Sequence, residues 1–518
     1  MCGVLFAKID NLNDIKFKQA LELMQHRGPD FSDFKYYNSY FLGQNRLAII
    51  DLDARSNQPF LGSDGASIII FNGEIYNYLE LAKQFNLQTK TNCDTEIIIE
   101  LYLKLGKDFI KYLNGCFVFI IFNTITKEYF IARDRLGIKP LYFWHDKQSF
   151  IVSSELLAIL HLTQDTQIDT IGLRQYLKFR TFFRGHTIYK NIKMFPAASY
   201  CDDLQNIQQY WHLEESAMIN YNPVDLHNLI LSAVKYRLIA DVSIGSYLSG
   251  GLDSSIITAI AKPEHTWTIG FENNNEFEYS DLVAKKYNLQ HHKILIDNDE
   301  FLKIAKQMIL TKKEPLSVPN EVLLYKLTQK VAGYNKVILS GEGADELFCG
   351  YDRIFKWANN KANFTIAGFD KMYSYGKHKD DEIIEYILEP FCAIKNNYAK
   401  TYTFFQKFHL HGLLKRLDSS SMLHSVEARV PFCDHRLVEY LYNIPLQIKM
   451  QNNIVKYPLK KIFANLLPLE IINRKKVGFP VNTQNIFNNK HGMASWFNFN
   501  LVTLFGPQIY DLINDISL

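Results

Sequence analysis

Apolar and polar residues follow one pattern in the first part of the chain. From residue 1 to about 200, short β-rich runs such as ASIIIFNGEIYN and GCFVFIIFNTITKEYFIARD are separated by turn residues, which favours an antiparallel sheet. Between these runs, segments such as DTEIIIELYLKLG space their apolar residues at helical intervals. The first part therefore predicts sheets covered by helices.

A different pattern begins at about residue 222, where strands alternate with helices. VSIGSYL, SSIITAIAK, HTWTIGF, SDLVAKKYN and HHKILID follow one another, and this alternation predicts right-handed βαβ units around a parallel sheet. A polar stretch at 201–223 separates the two patterns. Because 518 residues exceed one hydrophobic core, we expect two domains, 2–200 and 222–518.

Charge and composition exclude several functional classes. Lys and Arg total 57 against 54 for Asp and Glu, so no global field draws the chain to nucleic acid or an anionic membrane. The longest apolar run, GCFVFIIF at 115–122, is far below the ~20 residues that span a bilayer. The N-terminus has no basic stretch typical of a signal peptide. We therefore expect a cytoplasmic protein without nucleic-acid or membrane partners.

The segment SYLSGGLDSS at 246–255 predicts a phosphate-binding loop. Its glycines follow a predicted strand and its serines begin a predicted helix, so backbone amides and a helix N-terminus converge where a phosphate binds. The P-loop lysine is missing and Asp253 stands in the loop. The stretch resembles the pyrophosphate loop of the ATP pyrophosphatases, which cleave ATP between the α and β phosphates.

A second segment, VILSGEGADELFCGY at 337–351, places three acids after another strand. The ends of parallel strands form the ligand crevice of such sheets, and three carboxylates in one turn are costly without a cation. We expect Asp253 and Asp345 to converge on Mg²⁺. A solvated acidic turn is the alternative for this segment.

Cys2 becomes chemically distinctive if Met1 is removed. Its free α-amino group, with a pKa near ~8, would then serve as the base for its own thiol. Asn72 and Gly73, in NGEIYN, offer donors to an oxyanion. Arg46 and Asp94 supply one charge of each sign for a zwitterionic amino acid.

Five motifs together resemble a class II glutamine amidotransferase domain: MCG, HRGPD at 26–30, RLAIID at 46–51, NGEIYN and RDRLGIKPLY at 133–142. The glycine loop and SGEGADE resemble the synthetase half of the glutamine-hydrolysing asparagine synthetase family. The resemblance implies an α+β N-terminal nucleophile domain, an αββα sandwich, followed by an α/β parallel-sheet ATP-pyrophosphatase domain. It further implies that glutamine hydrolysis supplies ammonia to a β-aspartyl-AMP, giving asparagine, glutamate, AMP and pyrophosphate.

The resemblance also implies roles for individual residues. Cys2 would be the nucleophile, and Glu342 would assist formation or amination of the acyl-adenylate. The residues implied to bind glutamine are Arg46, Leu47, Ala48, Ile49, Ile50, Asn72, Gly73, Glu74 and Asp94. Those implied to bind ATP are Leu248, Ser249, Gly250, Gly251, Asp253, Ser254, Ser255, Ile269, Ser340, Gly341 and Lys456.

ATP as cosubstrate, Mg²⁺ and no prosthetic group complete the chemistry that the resemblance implies. Glutamine and aspartate are the further substrates, and the resemblance admits a homodimer. Two later stretches, SMLHSVEARVPFCDHRLVEYL at 421–441 with Arg429 and KKVGFPVN at 475–482, also match the family. The second of these receives no physical role.

The acceptor remains open at the level of sequence. The segment KKEPLSVPNEVLLYKL at 312–327 reads SVPN where the family usually shows a small, polar, sometimes arginine-containing segment. A related amidotransferase acting on another carboxylate, such as a sugar uronate of surface polysaccharides, is therefore an alternative. A tRNA-modifying pyrophosphatase or a non-catalytic binding protein is disfavoured, because no sulfur donor near the loop and no basic RNA surface are visible.

Overall fold

A computed structural model describes residues 2–213, 219–360, 363–474, 481–488 and 491–516. Residues 475–480 of the KKVGFPVN motif thus lie outside the described residues. No helix within the described ranges is both long enough and apolar enough to cross a membrane.

The first domain contains two antiparallel sheets. Sheet one has the order β10-β8-β9-β1-β3-β2, and sheet two has the order β12-β11-β7-β6-β5-β4. The strands are β1 (Gly3–Lys8), β2 (Phe31–Tyr37), β3 (Tyr40–Arg46), β4 (Phe60–Leu61), β5 (Ser67–Ile75), β6 (Gly115–Asn123), β7 (Tyr129–Arg133), β8 (Tyr142–His145), β9 (Phe150–Ser153), β10 (Lys193–Met194), β11 (Ser199–Cys201) and β12 (Gln208–Gln209).

The two sheets pack face to face, and helices cover their outer faces. Phe6 of β1 and Ile120 of β6 belong to one fully buried cluster between the sheets. Phe17 of α1 packs on sheet one, whereas Ile98 of α3 packs on sheet two. The helices are α1 (Asp14–Glu22), α2 (Tyr78–Gln84), α3 (Asp94–Leu105), α4 (Leu156–Thr163) and α5 (Thr170–Phe179). This αββα arrangement confirms the predicted sandwich.

The second domain is built on a parallel five-stranded sheet of order β15-β14-β13-β16-β17. Its elements up to the last strand of that sheet are α6 (Pro223–Tyr236), β13 (Ile244–Tyr247), α7 (Leu252–Ala261), β14 (His265–Gly270), α8 (Phe277–Tyr287), β15 (Gln290–Leu295), α9 (Asn298–Lys312), α10 (Asn320–Val331), β16 (Val337–Leu339), α11 (Ala344–Leu347), α12 (Asp352–Asn360), α13 (Ile366–Tyr373), α14 (Asp381–Leu388), α15 (Asn397–Phe404), α16 (Leu410–Met422) and β17 (Glu427–Arg429). The parallel sheet is confirmed.

The remaining elements complete the helical layers. They are α17 (His435–Asn443), α18 (Leu446–Lys449), β18 (Met450–Gln451), β19 (Ile454–Val455), α19 (Tyr457–Ile462), α20 (Leu469–Asn473), α21 (Thr483–Ile486), α22 (Gly492–Phe505) and α23 (Ile509–Ile516). Between α15 and α16, the π-helical turn Phe405–His409 joins the two helices.

The strand order determines where a ligand can bind. From β13 the chain proceeds to β14 and β15 on one side, and later places β16 on the other side. Such a reversal opens a crevice outside the carboxyl ends of the two strands. The loops that follow β13 and β16, at 248–251 and 340–343, both leave from this crevice.

Candidate active sites

Cys2 lies immediately before β1 and is buried, with 7% of its surface exposed. Its backbone N donates a 3.0 Å hydrogen bond to Oδ1 of Asn72 on β5, and its carbonyl accepts from Nε of Arg27 at 3.1 Å. Burial raises the pKa of the Cys2 thiol. Since only the thiolate is a strong nucleophile, the thiol needs a base, and a free α-amino group at this position would be one.

Asn72 also presents a donor toward the region of Cys2. Its side chain is fully buried, and Nδ2 has no hydrogen-bond acceptor among the described residues. A buried amide without an acceptor costs about 1 to 3 kcal/mol, which an oxyanion formed at this place would recover. Gly73 follows Asn72 in the same strand.

Two buried carboxyl groups lie near the thiol. Burial raises the pKa of Glu74 well above its ordinary value, and the neighbouring Glu427 adds to the effect. Burial also raises the pKa of Asp94 to about 6. Asp94 is the first residue of α3, and its Oδ2 accepts from the backbone N of Ile75 at 2.9 Å. A cationic amino group is a suitable partner for this pair of acids.

Arg46 shapes the loop next to these acids. Its guanidinium donates to the carbonyls of Ile50, Asp51 and Asp53 and, at 2.8 Å, to Oδ1 of Asn57. The predicted pocket residues Leu47, Ala48, Ile49 and Ile50 are all buried. In this structure Arg46 therefore orders the segment after β3.

The loop after β13 has the geometry of a phosphate cradle. Gly250 has a φ of +74°, and a Cβ at this position would lie 2.6 Å from the backbone N of Ser280, so only glycine fits. Gly251 begins α7 without a side-chain cap, which leaves amide donors at the helix N-terminus. Ser249 Oγ and Ser254 Oγ lie 3.0 Å apart. Oγ of Ser255 is buried without a hydrogen-bond partner among the described residues.

Lys456 brings the two predicted metal-binding acids together. Its Nζ lies 2.5 Å from Oδ2 of Asp253 and 2.6 Å from Oδ1 of Asp345. Burial opposes the charge, but these carboxylates hold the pKa of Lys456 above its ordinary value. A Cβ on Gly350 would lie 1.8 Å from Asp345 Oδ1 and 2.3 Å from Lys456 Cε. The close approach therefore requires glycine at position 350.

The same geometry fits a hard divalent cation. The two carboxylates share one cationic atom and lie beside a loop with free amide donors. Mg²⁺ is usually held by one or two carboxylates, and the phosphates of a substrate complete its coordination shell. The two aspartates match this arrangement. Asp253 and Asp345 would be the residues that hold it.

Glu342 lies at the end of the second loop. Its Oε1 pairs with Nη2 of Arg416 at 2.9 Å, and its backbone N donates to Ser340 Oγ at 3.3 Å. Gly341 approaches the other loop closely, since a Cβ there would lie 2.8 Å from the backbone N of Ser254. The predicted residues of the two loops therefore lie side by side. Leu248, the first residue after β13, and Ile269, in β14, are both buried.

A short series of contacts connects the two sites. Glu74, two residues from Asn72, has Oε1 3.4 Å from Nη2 of Arg429 on β17. The backbone carbonyl of Arg429 accepts from the N of Ser340 at 2.9 Å. Both sites therefore border the same interface between the domains.

Three arginines at these sites were not given roles from the sequence. Arg27 holds the carbonyl of Cys2, Arg416 pairs with Glu342, and Arg474 donates to the carbonyl of Gly250 at 3.2 Å. Arg27 is part of the HRGPD motif, so its motif was recognisable although its contact was not. Arg416 and Arg474 lie outside the motifs, and only the fold brings them to the sites.

Two family models match the chain. One, described as asparagine synthase, matches residues 225–502. The other, described as a glutamine amidotransferase domain, matches residues 1–211. Between them the two matches span nearly the whole sequence.

Curated relatives agree with these matches. The chain is 30% identical to asparagine synthetase [glutamine-hydrolyzing] 3 of Bacillus subtilis (strain 168), over 93% of this chain and 87% of the relative. It is 35% identical to a putative asparagine synthetase [glutamine-hydrolyzing] 2 of Methanocaldococcus jannaschii, over 63% of this chain and 71% of the relative. It is 28% identical to asparagine synthetase [glutamine-hydrolyzing] of Cricetulus griseus, over 96% and 86%.

Proposed function

Because the chain belongs to the asparagine synthase family and is a ligase that performs glutamine-dependent amidation, we propose that its acceptor is aspartate and its product asparagine. ATP is the cosubstrate of this family of reactions. The aspartate acceptor is supported by the names of the curated relatives, which are asparagine synthetases. The coupling of two sites is supported by the contact of Glu74, beside Cys2, with Arg429, whose carbonyl accepts a hydrogen bond from Ser340 of the second site. Two sites that border one interface fit a reaction in which one supplies the other.

The glutaminase half begins with the thiol of Cys2. With Met1 removed, the α-amino group takes the proton of the thiol, and sulfur attacks the side-chain carboxamide carbon of glutamine. Asn72 Nδ2 and the Gly73 amide donate to the oxyanion. The α-ammonium of Cys2 returns this proton to the amide nitrogen as the tetrahedral intermediate collapses, so ammonia leaves and a thioester remains, which water hydrolyses to glutamate. Glu74 and Asp94 hold the α-ammonium of the substrate.

The synthetase half binds ATP between the two loops. The amides at the N-terminus of α7 and the hydroxyls of Ser249, Ser254 and Ser255 hold the phosphates. The acceptor carboxylate attacks the α-phosphorus and pyrophosphate leaves, and ammonia then displaces AMP from the acyl carbon. Glu342, positioned by Arg416, acts at the acyl-adenylate. Mg²⁺, held by Asp253 and Asp345, would neutralise charge on the departing pyrophosphate.

A substrate screen tests the acceptor. AMP and pyrophosphate release would be measured with aspartate, glutamate and glucuronate, each with glutamine or an ammonium salt as nitrogen source. We expect aspartate alone to support product formation at high kcat/KM. Preference for a uronate would replace the proposed acceptor, and release of ADP instead of AMP would refute adenylation.

The two-site scheme has its own test. Cys2→Ala should abolish glutamine-dependent amidation and leave ammonia-dependent amidation within about twofold, because the second site needs only a nitrogen nucleophile. Intact-mass measurement should show that the mature chain lacks Met1. Equal loss with both nitrogen sources would contradict the scheme.

Several further expectations from the sequence remain proposals. We propose a domain division near 200–222, between the end of the antiparallel sheets and α6, together with a cytoplasmic location and a homodimer. Sedimentation analysis and fractionation of the producing cells test the last two.

A further inference from the structure

A cavity of about 320 Å³ lies apart from both sites. It is enclosed by the loop after β7, the segments 181–186 and 194–198, the π-helical turn and the start of α16. None of the residues that the sequence assigns to glutamine, ATP or metal lines it. Its volume lies at the lower end of the range for small-molecule sites.

The lining of this cavity is strongly cationic. Five of its residues carry positive charge, namely Arg133, Arg135, Arg184, Lys407 and Lys415. No aspartate or glutamate is found among the described lining residues. Two of the cations already have acidic partners, because Arg184 pairs with Glu389 and Lys415 with Glu314. The other three form no ion pair within the described part of the chain.

Two of these unpaired cations are buried. Arg133 and Arg135 are 4% and 9% exposed. Their guanidinium groups donate only to backbone carbonyls, Arg133 to Lys139 and others and Arg135 to Leu113 and Lys111. Burial lowers the pKa of Arg133. Asp134 attracts Arg133 electrostatically, but neither arginine has a carboxylate within ion-pair distance among the described residues, so an anion in the cavity would gain from their charge.

Two lining residues each carry a buried polar atom without a hydrogen-bond partner among the described residues. Gln406, in the π-helical turn, is 2% exposed, and its Oε1 has no donor among the described residues. Nε of Arg135 likewise has no acceptor there. The π-helical turns of other proteins frequently occur at functional sites.

The rest of the lining is aromatic and apolar. Phe182, Phe183, Phe408 and Trp211 contribute rings to it, and such rings favour a planar apolar body. Burial lowers the pKa of the adjoining His411 to about 3, with Arg133 adding to the effect. The imidazole is therefore neutral and offers a further hydrogen-bonding group rather than a charge.

We propose that this cavity is a binding site for a small organic anion with an aromatic body, distinct from the sites for glutamine and ATP. The anionic group lies between Arg135 and Lys407, and the aromatic body packs among the phenylalanine rings.

The helix α16 gives this site a route to both reactions. His411 and Lys415 of α16 line the cavity. Further along the same helix, Arg416 pairs with Glu342 at 2.9 Å. Asp418 pairs at 2.9 Å with Nη2 of Arg27, which holds the Cys2 carbonyl. A ligand in the cavity should therefore change how the two half-reactions are coupled. This effect rests on the proposed function, whereas binding of the ligand does not.

Binding is tested with 8-anilinonaphthalene-1-sulfonate, an aromatic anion, on the full chain. N-phenyl-1-naphthylamine, which has the same rings without the sulfonate, is the matched neutral probe. We expect saturable 1:1 binding of the sulfonate with energy transfer from Trp211, reduced in Trp211→Phe. Lys407 is exposed. Lys407→Glu should raise the Kd of the sulfonate at least tenfold and leave the Kd of the neutral probe unchanged.

Lys395→Glu changes the same charge at an exposed position outside the cavity and should affect neither probe. Equal affinity of the sulfonate for wild type and Lys407→Glu would overturn the site, as would binding of the neutral probe as tight as that of the anion. A cavity that holds only water gives no saturable signal, which would also overturn it.

The coupling step is read from activity. With saturating sulfonate, the ratio of glutamine-dependent to ammonia-dependent amidation should change at least twofold in wild type but not in Lys407→Glu. If the sulfonate binds but the ratio does not change, the route through α16 is wrong and the binding site stands. If neither nitrogen source supports amidation, the proposed function fails, while the binding measurements still decide the site.

Discussion

The side chain of Lys456 lies between Asp253 and Asp345, within 2.6 Å of both. Two carboxylates this close together repel each other unless a cation intervenes. The lysine is 6% exposed, so its charge is little screened by solvent. The free enzyme thus supplies its own cation at the place where the sequence predicts a metal and phosphates.

Lys456→Met should lower AMP formation by at least about 100-fold, because it removes a positive charge from the phosphate site. Glutaminase activity should stay within about twofold, since Cys2 lies in the other domain. Lys461→Met, an exposed lysine of the same helix, is the matched control. Equal loss of both activities would indicate general misfolding and contradict the local role.

Asp94 gives glutamine use a pH dependence. Burial raises the pKa of its carboxyl to about 6, so the group becomes protonated as pH falls through 6 and loses its attraction for the α-ammonium of glutamine. We expect kcat/KM for glutamine to decline below about pH 6, with no such inflection in the ammonia-dependent reaction. The inflection should vanish in the residual activity of Asp94→Asn. Its persistence in that variant would assign it to another group.

Sequence motifs contain most of the residues proposed for the two sites, but not all of the cations that the structure places beside them. Cys2, Asn72, Asp253 and Asp345 lie in short motifs whose chemistry is readable without a fold. Arg416 reaches Glu342 from 74 residues away, and no local pattern encodes such a pairing. The role of Arg46 in holding carbonyls likewise depends on the path of the loop after β3.

Among the elements, α16 reaches both sites through two residues of the same turn. Arg416 faces Glu342, and Asp418 faces Arg27. Both members of the second pair are nearly completely buried, at 3% and 1% exposed. Arg27 also pairs with Glu155 at 3.2 Å, so its charge has two carboxylate partners.

Separate substitutions on α16 should separate the two activities. Arg416→Gln should lower ammonia-dependent amidation at least tenfold and spare glutaminase, because it frees Glu342 only. Asp418→Asn should lower the free energy of unfolding by about 3 kcal/mol, since it removes a buried counter-charge, and should also reduce glutaminase activity. Denaturant unfolding and paired assays check this. Identical profiles for the two variants would contradict the division of roles.

Element prediction succeeded where apolar spacing was regular. The strand SIIIFNGEI and the helix that follows SGGLDSS lie where the pattern places them. The region 352–409 has no such regular spacing, because its short helices carry aromatic residues that pack against each other rather than along one regular face. Tertiary packing determines such segments more than local propensity.

In the whole molecule, the proposed mechanism requires ammonia to pass from Cys2 to the acyl-adenylate. We predict an enclosed passage through the domain interface, lined mostly by apolar or small uncharged groups, because a charged lining would favour ammonium, which is not nucleophilic. Among the described residues this interface also holds buried ion pairs, including Arg27 with Asp418 and Arg429 with Glu74. Both of these arginines have an acidic partner, which limits the net charge near a passage.

Isotope competition tests the transfer. With amide-¹⁵N glutamine and excess unlabelled ammonium, the product should retain ¹⁵N at least tenfold above the value for free mixing. The same assay with Cys2→Ala should give unlabelled product. Statistical mixing in the wild-type product would exclude enclosed transfer.

The pairing of Lys456 with Asp253 spans 203 residues, which has a consequence for biosynthesis on the ribosome. Both aspartates leave the exit tunnel long before the lysine does, and β17, the edge strand of the parallel sheet, also emerges late. Until then the nascent chain carries two converging acids without their internal cation. The synthetase sheet is therefore expected to reach its final form only near the end of translation, whereas the antiparallel sandwich, complete by Gln209, can fold while the rest is still being made.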